Sequence, residues 1–135
     1  MLRKINQILA MPEVAKFLLR ASFGVMMLLH GKFKILHGVA PIEKMLSAHG
    51  LPAILAYGYL ITEVAAPLFM VLGLWTRVSA LIVASGMVVA TYLVDTNLFG
   101  ITAVGAWDAE KTAVYLFAAL ATALLGSGRY AVRPD

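Results

Sequence analysis

The chain of 135 residues is 61% hydrophobic and 13% charged, with a mean hydropathy of +0.88. Soluble domains carry about 25% charged and about 45–50% apolar residues, so this balance excludes a disordered chain and gives a small water-soluble globule more apolar surface than it can hide. The net charge of +4 comes mostly from basic residues flanking apolar stretches, where they orient spans and meet anionic headgroups, so the expected partner is the lipid bilayer and not nucleic acid.

Length fits a single transmembrane domain over residues 1–135. At the N-terminus Arg3 and Lys4 precede Ile8-Leu9-Ala10-Met11, too short for the apolar region of a signal peptide, and no cleavage site follows. Ile5, Ile8 and Leu9 share a helical face that suits the membrane surface. Crossing a bilayer takes roughly 20 apolar residues at 1.5 Å each. The first such span is expected at 14–36, with Pro12 in its first turn. Its purely apolar stretch is short, so Lys16 and Arg20 must snorkel to one side and Lys32 and Lys34 to the other. Pro41-Ile42-Glu43-Lys44, in the loop that follows, begins a short interfacial helix. The second span, 52–75, is interrupted only by Thr62 and Glu63. Trp75-Thr76-Arg77 then turns the chain tightly, making spans two and three antiparallel neighbours. The third covers 78–94 and the fourth 112–127, where Gly126-Ser127-Gly128 stops it. The expected architecture is an all-α integral membrane four-helix bundle.

An even number of spans puts both termini and the Arg77 turn on one side. That side collects Arg3, Lys4, Lys16, Arg77, Arg129 and Arg133. The other has Lys32, Lys34, Lys44 and Lys111 beside Glu43, Asp95, Asp108 and Glu110. The positive-inside rule therefore expects cytoplasmic N- and C-termini in the cell inner membrane.

An ionisable group within the hydrocarbon costs at least ~2.5–3.5 kcal/mol, so each needs a partner or a purpose. Glu63 is expected near mid-span, and Pro67 four residues later cannot donate to its carbonyl. One residue thus offers a buried carboxyl and an unpaired backbone oxygen, either as a binding site for a proton, cation or hydrogen-bond donor or as a staple between helices. At 100° per residue, Arg20, Gly24, Met27, Gly31 and Lys34 form one stripe of the first span, with His30 at its edge. The two glycines allow close helix approach. Arg20 and His30, on opposite sides of mid-depth, are the alternative expected partners of Glu63, and Tyr59 is placed to hydrogen-bond its carboxyl. Arg20, His30, Lys34, Tyr59 and Glu63 form the candidate ligand-binding cluster, with no catalytic role assigned. The histidines His30, His37 and His49 lack zinc-ligand spacing, cysteine is absent, and the methionines read as packing, so no protein-held metal is expected.

The order of short motifs is similar to members of the DoxX family of small four-helix membrane proteins. The residues carrying the resemblance are Leu19-Arg20 through Gly24, Leu29-His30-Gly31-Lys32-Phe33-Lys34, Gly50-Leu51-Pro52, Glu63 and Leu72-Gly73-Leu74-Trp75-Thr76-Arg77. Glu110, Tyr115 and Gly126-Ser127-Gly128-Arg129-Tyr130 complete it. Ala131 and Val132 depart from the tail of many members, and no role is carried there. The family takes its name from a subunit of a thiosulfate:quinone oxidoreductase. The resemblance therefore implies an accessory or quinone/lipophile-binding component of a membrane redox system, with a bound quinone or lipid. Because the chain itself has nothing to hold electrons, such a role needs a redox partner subunit or a bound cofactor. The competing expectations are a structural or assembly protein and a small proton-coupled transporter acting as a homo-oligomer.

Overall fold

The structure is a computed structural model that describes residues 1–94 and 96–135; Asp95, counted above among the acidic loop residues, lies outside them. Among the described residues the chain is helical, with one isolated bridge between Ile101 and Trp107. The α-helices are α1 (Leu2–Leu9), α2 (Pro12–His37), α3 (Ala40–Ala48), α4 (Ala66–Leu72), α5 (Thr76–Leu93) and α6 (Glu110–Leu125).

Among the described residues, three helical segments are long and apolar enough to cross a bilayer: Pro12–His37, Ala53–Leu72 and Thr76–Leu93. The fourth expected span is α6, whose 16 residues reach about 24 Å at 1.5 Å each, short of the roughly 30 Å hydrocarbon core. Among the described residues there are six α-helices: α1 and α3 are the short helices beside the four expected spans, and the second span is broken. That span opens with a 3-10 turn, Ala53–Gly58, passes through a π turn, Leu60–Ala65, and becomes α-helical only at α4. Pro67 is the cause. Lacking an N–H, it cannot bond the Glu63 carbonyl, and the chain widens locally, with Ala66 donating to Ile61 five residues back.

Small residues set the packing. In α2 the buried residues are Arg20, Gly24, Met27 and Gly31, one per turn along a single face. A Cβ on Gly31 would lie 2.6 Å from the Glu63 carbonyl oxygen, and one on Gly24 would lie 3.1 Å from that of Pro67. Only hydrogen fits at Gly31 and the fit at Gly24 is tight, so α2 rests directly on the backbone of the broken span. The core between α2, α4, α5 and α6 is built from Met27, Ala66, Met70, Ala80, Val83, Ala84, Met87 and Ala119. Outward, Leu29, Phe33, Val88, Val89, Phe117 and Leu124 are exposed, an apolar exterior suited to acyl chains. The N-terminus of α2, the Gly73–Trp75 turn and the C-terminus of α6 share one end, tied by Glu13 to the Arg129 amide and by Arg77 to the Ala123 and Leu124 carbonyls.

Candidate functional site

Pro67 and Gly31 together position Glu63. The widened turn leaves its carbonyl facing Gly31, and its side chain then falls beside the last two turns of α2. There Lys34 Nζ meets Glu63 Oε1 at 2.5 Å. The residue is 8% exposed. Its second carboxylate oxygen, Oε2, is buried and has no hydrogen-bond partner among the described residues. A buried acceptor without a donor costs about 1–3 kcal/mol, so this atom is the anomaly of the site.

Glu63 borders a cavity of about 130 Å³ whose other walls are Met27 and His30 of α2, Met87 and Ala90 of α5, and Lys111, Thr112 and Tyr115 of α6. The lining combines two methionines and an alanine with hydroxyl, imidazole and ammonium groups. His30 Nε2 and the Tyr115 hydroxyl are 3.5 Å apart, with their rings edge-to-face at 5.7 Å. Thr112 shares its hydroxyl with Thr91 of α5 at 3.1 Å. Among the described residues no three His, Asp or Glu side chains come together as a metal set.

The five residues singled out from sequence separate into two groups. Lys34, Glu63 and His30 come to the cavity region. Tyr59 sits beside it, its ring 5.9 Å from the Lys34 ammonium and packed with Ile42 and Met45 against Val39, Leu46, Ala56 and Leu93; it makes no hydrogen bond to Glu63. Arg20 is elsewhere. Gly31 sets the level of Glu63, and Arg20 lies eleven residues earlier on α2, roughly 16 Å along the axis. The expected Arg20–Glu63 pair therefore does not form. Fully buried, Arg20 donates to the carbonyls of Met70 and Val71 at 2.9 and 2.7 Å, of Ser127 at 3.0 Å, and of Tyr130. It clasps the end of α4 to the tail that follows α6.

Tyr115, Thr112 and Lys111 were not among the candidates. Tyr115 stood out only through the family resemblance, and a lone tyrosine on a helix of alanines and leucines was the available signal. Which face of α6 turns toward α2 is a tertiary property.

The DoxX family model matches residues 15–96. No curated protein and no solved structure matches the chain. The matched residues cover more than half of the sequence, from α2 through α5, and include Lys34, Glu63 and His30, while α6 and the tail lie beyond them. The long apolar helices and the exposed apolar exterior are those of a membrane protein, and the chain belongs to the DoxX family.

Proposed function

We propose that the protein is an accessory component of a membrane redox system that binds the headgroup of a quinone or similar lipophile in the cavity beside Glu63. The observation carrying this reading is Glu63 Oε2, buried and without a hydrogen-bond partner among the described residues, on a side chain that borders the cavity. A carboxylate oxygen accepts only, so the complement this atom lacks is a ligand hydroxyl, which the reduced quinol form of such a headgroup supplies. Size supports a ring: an apolar cavity of about 150 Å³ admits benzene, and this one measures about 130 Å³. Met27, Met87 and Ala90 would hold the ring face, while His30, Tyr115 and Thr112 offer donors and acceptors to its far side. Electrons would pass to a partner subunit or through the bound molecule.

In this reading α2, the broken span, α5 and α6 cross the inner membrane as a four-helix bundle with both termini cytoplasmic. The reading that Glu63 is only a staple draws support from its ion pair with Lys34. Native mass spectrometry on gently purified protein separates the two. One small lipophile per chain is expected, lost at least tenfold in both Glu63→Gln and the cavity-filling Ala90→Leu. A mixed, substoichiometric lipid population unchanged in either variant would assign the cluster to structure alone.

A further inference from the structure

A second, larger cleft of about 290 Å³ opens at the opposite end of the molecule from the Glu63 cavity, where α2 begins and α6 ends. Three cations border it: Lys16 of α2, Arg77 of α5 and Arg129 of the tail. Its floor is the loop Gly126-Ser127-Gly128, with positive φ at both glycines. Two amides of this stretch already hold carboxylate oxygens: Ser127 N–H donates to Asp135 Oδ2 at 3.2 Å and Arg129 N–H to Glu13 Oε2 at 2.8 Å. The backbone here is an oxyanion-binding concavity of the nest kind.

Charge remains after those contacts. Glu13 is shared between Lys16 at 3.3 Å and the Arg129 amide, and Asp135 is held by Ser127. Arg77 uses Nη1 to cap α6 through Ala123 and Leu124. Among the described residues its Nε and Nη2 have no partner, and they lie over Gly126, where a Cβ would be 2.9 Å from Nη2. The Arg129 guanidinium donates to the hydroxyl of its neighbour Tyr130 and lies over that ring, with no salt bridge to an acid among the described residues.

We propose that this cleft binds a phosphate group. Arginine forks match phosphate oxygens geometrically, and the cleft combines two of them with an ammonium. Its surroundings point to the headgroup of an anionic phospholipid as the source. Aromatic rings of the kind that settle at headgroup level stand beside it, with Arg133 stacked 5.9 Å over Trp75 and Tyr130 against Phe17. Leu125, 45% exposed, lines the cleft and offers it an apolar flank.

The test uses the full chain in phosphatidylcholine nanodiscs and reads the melting temperature. Adding phosphatidylglycerol to the discs should raise it by on the order of 5 °C. The double variant Lys16→Gln/Arg129→Gln should lose most of that rise, whereas Lys32→Gln/Lys44→Gln, at the other end, should keep it. The single variant Arg129→Gln, which leaves the Lys16–Glu13 pair in place, should lose part of it. Inorganic phosphate, compared with chloride at equal ionic strength, forms the second arm. An equal rise with inorganic phosphate, again lost in the double variant, would support the phosphate site and make free phosphate its source. No rise with either phosphate, or an equal rise in the double variant, would overturn the proposal.

Discussion

Arg20 is a buried cation answered by carbonyl oxygens and not by an acid. Burying a guanidinium costs several kcal/mol, and four carbonyls from two segments offset it. Two of these belong to the last turn of α4, where carbonyls lack intrahelical partners and the helix dipole is negative. The planar fork suits this task because its donors diverge toward several acceptors at once. Replacing Arg20 with Met should therefore cost about 3 kcal/mol or more, measured by reversible unfolding in mixed micelles, since it strands buried carbonyls. Lysine should recover only part of the loss: one ammonium cannot span the end of α4 and the tail together. Glu63 contrasts with it. Its Oε1 is paired and its Oε2 has no hydrogen-bond partner among the described residues, and that asymmetry is what supports the proposed binding role.

At the scale of elements, the broken second span decides where the site lies. Pro67 removes one hydrogen bond, the π turn absorbs the gap, and Gly31 receives the released Glu63 carbonyl. Substituting Gly31 with Ala would put a methyl 2.6 Å from a backbone oxygen, which cannot move without shifting the span. A loss of about 1–3 kcal/mol is expected, with Lys34 and Glu63 drawn apart. Gly24→Ala should cost less, because its nearest obstacle is the Val71 Cγ2 atom at 2.7 Å, part of a side chain that can rotate. Thermal unfolding of the two variants side by side checks the order. The turn after α4 shows the same economy of small residues: Gly73 adopts the left-handed conformation, and a Cβ there would collide with Ala131.

At the scale of the whole molecule, two polar features occupy opposite ends. The Glu63 cavity lies toward the C-terminal end of α2 and the basic cleft toward its N-terminal end. The amphipathic α1 buries no residue against the rest, which fits a helix lying on lipid. If the basic end is cytoplasmic, reporter fusions after Asp135 should read inside, and those within residues 38–51 outside. A C-terminal fusion reading outside would reverse the orientation and place the basic cleft across the membrane.

Much of this was legible in the sequence because lipid imposes simple rules. Apolar runs announce the long helices to within a few residues, and the stripe Arg20-Gly24-Met27-Gly31 follows from helical periodicity alone. The anomaly of Glu63 followed by Pro67 needs no fold to be noticed. Other features were out of reach for definite reasons. The partners of Arg20 are backbone carbonyls, which every residue possesses and no side-chain pattern reveals. The cavity walls from Met87 and Tyr115 depend on how α5 and α6 are rotated about their axes, and helices of alanine, valine and leucine offer several apolar faces of nearly equal merit. The sequence by itself determined a helical membrane protein with an acid buried in its second span, since composition and period suffice for that. Only the tertiary structure decided that the acid meets Lys34 and not Arg20, because axial level depends on which glycine takes the neighbouring backbone.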